Sequence, residues 1–415
     1  MHRKRQAAFA ATTATLLLFQ AGVASAGEVV WWAPNWGQAR AEELARKFEA
    51  ENPDTKIRIE VTVSDGLQNR ILVALQSGSP PELIDAQSGW NIPYANTGKL
   101  LALDEFVEKE GIDRDDFHPV ALKTATSDGK LYGVPYRIES HALIYSKNAY
   151  REAGLDPEDP PETWPELIDY AKKLTRTTEA GQQQYGFAIT GGGEIGNTVF
   201  RSLPFLWMNG GGILSEDLSE VIVNRPESVE AVKFYTDMFT EHGVSPPSTL
   251  QNDGTANRRL FIAGAVAQYQ SGQFDLGSIR QENPEIEVGV GPLPHPEGKQ
   301  TAALAGGWNW IVPAEAANTE GALEFVAFLS EPDNMGFYTD TFPARTSAME
   351  LPRFQAPELQ GFKEMLPFAR QPPPHPNWIQ ITQIYFNHVQ EILLGDATPQ
   401  EAMDAAAEEI EPLLN

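Results

Sequence analysis

The stretch that decides the fold is residues 131–155, Leu-Tyr-Gly-Val-Pro-Tyr-Arg-Ile-Glu-Ser-His-Ala-Leu-Ile-Tyr-Ser-Lys-Asn-Ala-Tyr-Arg-Glu-Ala-Gly-Leu. β-branched and aromatic residues crowd 132–145, which predicts extended chain. A short helix over 147–153 follows, and Gly154 ends it. Pro135 cannot donate to a sheet ladder, which argues against a central strand there and for a segment crossing a boundary. Arg137, Glu139 and His141 alternate and so share one face. Two readings of that face stay open: charges lining a cleft between two lobes, or a surface strand with solvated charges.

Upstream, the spacing predicts a strand over 28–32 and a loop at Ala33-Pro34-Asn35-Trp36-Gly37. A helix over 38–51 follows, with Ala41, Leu44, Ala45 and Phe48 on its apolar face. Residues 56–63 alternate through Ile57, Ile59, Val61 and Val63, a strand with one buried face. A helix over 67–76 and an apolar strand over 82–86 complete a β-α-β-α-β order, the mark of a largely parallel sheet covered by helices. In such sheets ligands bind beyond the carboxyl ends of the strands. Two loops hold that position and each carries a tryptophan. One has Trp36 with Asn35 and Gln38; the other has Trp90 with Gln87 and Ser88. The alternative is that each indole packs on its own helix.

Downstream, Thr163 is placed to cap a helix running to Leu174. A strand over 185–190 leads into Gly191-Gly192-Gly193-Glu194-Ile195-Gly196. That run satisfies G-x-G-x-x-G by letter. It is mid-chain, however, opens on a run of glycines, and precedes Pro204, which is expected to interrupt the next helix. It reads as a backbone turn near a ligand and not as a dinucleotide site. Helices over 228–242 and 257–263 and strands over 265–269 and 287–290 follow. Gly306-Gly307-Trp308-Asn309-Trp310 lies within 301–313, ahead of a helix over 314–330. Phe342-Pro343-Ala344-Arg345 is another non-helical crossing, and mostly helical sequence follows the Pro-rich loop 371–376.

The first 26 residues have the make-up of a secretory leader: His2-Arg3-Lys4-Arg5, an apolar run over 7–21, then Ala24-Ser25-Ala26. No later stretch is long and apolar enough to span a membrane. Removing the leader leaves about 390 residues, which points to two domains. With no cysteine in the chain, disulfides, thiolate metal sites and a lipid-modified cysteine are excluded. The expected product is a freely diffusing periplasmic monomer. The formal net charge is −26, and loss of the leader makes it three units more negative. Such a surface repels nucleic acid and anionic lipid headgroups.

No nucleophile elbow, H-E-x-x-H pair, phosphate loop or calcium loop is present, and the histidines lack metal spacing. The expectation is no enzyme, no metal and no cofactor, although the many carboxylates leave a pair of glycosidase acids open. What stands out is aromatic side chains on loops: Trp36, Trp90, Trp207, Phe274, Trp308 and Trp378. Flat aromatic faces beside amides and carboxylates suit a sugar or polyol.

The chain resembles the family 1 extracellular solute-binding proteins of ABC importers, the group that includes maltose-binding protein. The resemblance rests on Phe48-Glu49-Ala50-Glu51-Asn52-Pro53, Leu75-Gln76-Ser77-Gly78-Ser79-Pro80-Pro81-Glu82-Leu83, Ala95-Asn96-Thr97-Gly98-Lys99-Leu100 and Leu131-Tyr132-Gly133-Val134-Pro135. Leu143-Ile144-Tyr145-Ser146-Lys147, Ala153-Gly154-Leu155, Pro161-Glu162-Thr163-Trp164-Pro165-Glu166-Leu167, Gly306-Gly307 and Phe342-Pro343-Ala344-Arg345 continue it. It implies the two-lobed periplasmic binding protein fold of type II, α/β throughout. Each lobe is then a mostly parallel sheet flanked by helices, with the ligand cleft between lobes. One lobe would hold 27–136 and 295–342, the other 137–294 and 343–415. It further implies capture of a small carbohydrate by hinge closure and transient docking on membrane permease subunits. Relatives contact ligand around Trp36, residues 87–90, Glu139, Phe274, Gly307, Trp308 and Arg345. Arg137 and Arg345 leave an anionic sugar or glycerol derivative open as the solute.

Overall fold

The computed structural model describes residues 27–63, 66–179, 181–193 and 195–414. The expected leader and Glu194 of the glycine run lie outside them.

Strand β1 (Gly27–Pro34) pairs in parallel with β2 (Thr55–Thr62) on one side and β3 (Leu83–Gln87) on the other. Helices α1 (Gln38–Glu51) and α2 (Leu67–Ser77) make the return crossings. α1 buries Ala41, Leu44, Ala45 and Phe48, the face its spacing predicts. Strand β2 differs from expectation. Ile57 and Ile59 are only half-buried, and Val61 and Val63 are exposed. Among the described residues β2 is the outermost strand, with β1 as its one ladder partner, so its apolar alternation is covered only in part.

The other neighbour of β3 comes from far along the chain. The strand Ala303–Ile311 lies antiparallel to β3, with Trp308 opposite Gln87. Beyond it lies Val134–Ser146, the stretch quoted first, as one strand of 13 residues. This crossing strand changes partners midway. Up to Ser140 it pairs with Ala303–Ile311 and with the short strand Phe342–Pro343. From His141 onward it pairs antiparallel with Gln268–Gly272 and Val288–Gly291. Pro135 sits inside it after all. The register slips there, because Trp308 faces Arg137 while Asn309 faces Pro135. A proline without an N–H is tolerated at such a break in the ladder.

Thr163 caps the helix Trp164–Leu174 in a reciprocal capping box with Glu166. Residues 185–190 form no continuous strand; Tyr185 and Ala188 make isolated parallel bridges to Val266 and Tyr269. Pro204 does not interrupt its helix, which runs through it as Ile195–Met208. Leu203, Phe205 and Leu206 beside it are fully buried. Burial of each stabilises by about 1.5–3 kcal/mol, which together outweighs the roughly 3 kcal/mol cost of an internal proline. The helix expected over 314–330 starts only at Thr319, where Asn318 caps it. No helix among the described residues is long and apolar enough to cross a membrane.

Candidate functional site

The site is built on a buried carboxylate. Asp85, on β3, accepts hydrogen bonds from Trp31 Nε1 at 2.6 Å, Tyr136 Oη at 2.9 Å and Tyr338 Oη at 2.6 Å. The donors come from β1, from the crossing strand and from the helix Pro332–Tyr338, so one acid ties three separate segments together. Burial pushes its pKa up to about 7, against the downward pull of the three donors. Tyr136 stacks on Trp310 at 4.5 Å, and Tyr338 leans on both Trp31 and Trp36.

Above this base three indoles meet. Trp308 contacts Trp36 edge-on at 5.7 Å and Trp90 at 6.3 Å. Trp36 belongs to the turn Asn35–Gly37 that follows β1, and Arg40 holds this turn by donating to the Trp36 carbonyl. Trp90 lies in the helix Ser88–Asn96, which starts directly after β3. The two loops beyond β1 and β3 therefore converge on one residue of the inserted strand. Trp308 is buried, whereas Trp36 and Trp90 are half-buried and keep exposed surface.

Beside the indoles runs a charged ladder. The Arg137 guanidinium lies 4.5 Å from the centre of the Trp36 ring. Its Nε and Nη2 donate to Glu139 Oε2 at 3.0 and 2.5 Å, and its Nη1 donates to Asp340 Oδ1 at 2.7 Å. Burial opposes the charge on Arg137, but the two carboxylates in contact outweigh it and raise its pKa. Glu139 Oε1 keeps no protein partner among the described residues. The glycines opposite make room for this ladder. A Cβ on Gly306 would fall 2.3 Å from Glu139 Oε1, and one on Gly307 2.5 Å from the Arg137 carbonyl. Among the described residues no group of three His, Asp or Glu side chains could hold a metal ion.

Residues 33–336 match the profile of the bacterial extracellular solute-binding proteins. The chain belongs to that family. A binding protein of Brucella abortus is 27% identical over 405 residues, covering 96% of each chain. The sn-glycerol-3-phosphate-binding periplasmic protein UgpB of Pectobacterium atrosepticum is 28% identical, over 98% of this chain and 95% of that one. The crystal structure of an ABC transporter solute-binding protein from Thermotoga lettingae, bound with alpha-D-tagatose, superposes with a TM-score of 0.83 at 27% identity. It covers 94% of this chain and 100% of its own. The fold of this solute-binding protein is thus two-lobed α/β with a cleft between the lobes.

In this solute-binding protein Trp36, Trp90, Trp308, Gln87, Arg137, Glu139 and Gly307 come together at the joint of the crossing strand. Phe274 opens the helix Phe274–Glu282 and lies 6.1 Å from the ring of His141, further along the crossing strand. The remaining expected residues are placed apart from that cluster or turned to other partners. Gln38 donates to Glu42 along the exposed side of α1. Asn35 is exposed and Ser88 is buried. Arg345 donates to Asp116 Oδ2 at 2.6 Å and to the Ser330 carbonyl at 2.7 Å. Trp207 and Trp378 are half-buried against the core, in the helices Ile195–Met208 and Trp378–Leu394. Sequence reasoning missed Asp340 and Asp85. Asp340 stands just ahead of the crossing at Phe342, the one local hint of its place.

Proposed function

We propose that this chain is the capture component of an ABC importer. It binds one small carbohydrate or polyol between its lobes and delivers it to permease subunits in the membrane. The observation that carries this reading is the wall formed by Trp36, Trp90 and Trp308 beside the unpaired Oε1 of Glu139. Indole faces press on the C–H patches of a sugar, and a carboxylate oxygen accepts from its hydroxyls. The tagatose bound to the Thermotoga lettingae protein supports the same class. We place the working protein in the periplasm, freed of its leader and monomeric. The lobes we assign are 27–136 with 295–342 and 137–294 with 343–415, closing about the two crossings.

The name of UgpB raises a second reading, an anionic glycerol derivative. Three ion pairs weigh against it. Arg137 is held by Glu139 and Asp340, and Arg345 by Asp116, so a phosphate would have to displace carboxylates to reach either guanidinium.

A thermal-shift series over neutral sugars, polyols and sn-glycerol 3-phosphate tests both readings. A neutral solute at about 100 times its Kd stabilises by roughly 2.7 kcal/mol. Stabilisation by sn-glycerol 3-phosphate alone overturns the neutral assignment. Product formed from any oligosaccharide during incubation overturns the transport reading.

A further inference from the structure

The crossing strand carries its ligand-facing side beyond Glu139. His141 is next on that face, and it stands opposite Gly272 in the ladder, with Leu143 opposite Gln270. Residues opposite one another in a ladder point to the same side, so Glu139, His141 and Gln270 share it. Gln270 is 3% exposed and Gln273 4% exposed. Among the described residues neither the amide oxygen nor the amide nitrogen of either side chain has a hydrogen-bond partner, and His141 Nδ1 has none. These atoms are also shielded from solvent, so water does not satisfy them in this conformation. Gln273 stands at the N-cap of the helix Phe274–Glu282 and its side chain does not cap it. Folds seldom leave buried polar atoms unpaired unless a partner arrives from elsewhere.

We infer that Gln270 and Gln273, with His141, form a hydroxyl-binding subsite for the part of the solute that lies in the second lobe. This rests on the carbohydrate reading above. A carboxamide offers an acceptor and two donors, and a neutral imidazole offers one of each. Only a group that both donates and accepts satisfies that mixture, and a hydroxyl does so. A phosphate accepts alone and leaves the two amide oxygens unpaired. Burial, and after it the charge of Arg201, hold His141 neutral. Phe274 lays its ring over Gly272 on the same face, where a Cβ would strike it at 2.3 Å. An apolar ring thus flanks the amides, the combination that a sugar ring uses. The first lobe then grips through indoles and Glu139, the second through amides and Phe274.

The test compares the wild type with Gln270→Leu and Gln273→Leu, unliganded and with D-tagatose, maltose and ribitol. We expect the unliganded variants to melt at or above the wild-type temperature, because an apolar side chain replaces unpaired amides. Their Kd for whichever probe stabilises the wild type rises about tenfold or more. Unliganded variants that melt lower show the amides to be structural and overturn the inference. Variants that bind as tightly as the wild type overturn it too, while leaving the importer reading intact. If no probe stabilises the wild type, the carbohydrate reading fails and the subsite falls with it.

Discussion

Arg137 donates twice to a single oxygen of Glu139, Oε2, at 3.0 and 2.5 Å, and leaves Oε1 over Gly306 without a protein partner among the described residues. The arginine therefore works through the glutamate: two hydrogen bonds within an ion pair hold that carboxylate in place. Its third contact, to Asp340, braces the guanidinium from the segment leading into the second crossing.

Replacing Arg137 by Met leaves Glu139 and Asp340 near one another without their counter-charge. Removing one member of a buried ion pair costs about 3–5 kcal/mol. Since Asp340 is partly exposed, the lower end is expected in urea denaturation. A loss under about 1 kcal/mol would mean the triad is solvated and its geometry incidental.

Gly306→Ala and Gly307→Ala separate binding from folding. At Gly306 the added methyl meets the Glu139 side chain at Oε1, Cγ and Cδ, so Glu139 is displaced, affinity falls about tenfold, and the loosened pairing with Arg137 costs less stability than Arg137→Met does. At Gly307 it meets backbone, and the strand itself must shift, at a cost of about 1–3 kcal/mol. Titration calorimetry and thermal melts on both variants check this; equal effects on both quantities contradict it.

Trp308→Ala removes the ring on which Trp36 and Trp90 rest. Truncating a buried Trp costs about 3–5 kcal/mol. We also expect the ligand-induced thermal shift to vanish, and a variant that keeps the full shift rules out the indole wall as the binding surface.

Asp85 gives the protein a pH signature. Its folded pKa is about 7, whereas an unfolded Asp titrates near 4. Between those values the folded form holds a proton that the unfolded form has lost. Its contribution to stability is thus greatest near pH 4 and falls as pH rises towards 7. Asp85→Asn removes this slope. The gap in melting temperature between wild type and variant should move against the wild type from pH 4 to pH 7, and a constant gap refutes the assignment.

Local patterns exposed much of this molecule. The alternation of Arg137, Glu139 and His141 read correctly as one face, and α1 lies where its apolar spacing put it. What stayed hidden was set by distant pairing. Nothing near Trp308 announces that its strand slots between β3 and the crossing strand, because an antiparallel neighbour brought from afar leaves no local periodicity. For the same reason Asp340, 203 residues from Arg137, was not found. The family resemblance points to Arg345 as a ligand contact, and the Asp116 that engages it is likewise remote in sequence. Pro135 misled in the other direction, since a register slip removed the objection to a proline in a central strand.

The late arrival of Ala303–Ile311 sets the order of assembly. Until that strand is made, β3 and the crossing strand have no neighbour in common, and both present open edges. Trp310, the ring on which Tyr136 stacks, is missing as well. Non-local closure of this kind makes folding slow. A chain cut before residue 303 therefore lacks the strand that joins β3 to the crossing strand, and about three-quarters of the polypeptide must be synthesised before that sheet can close.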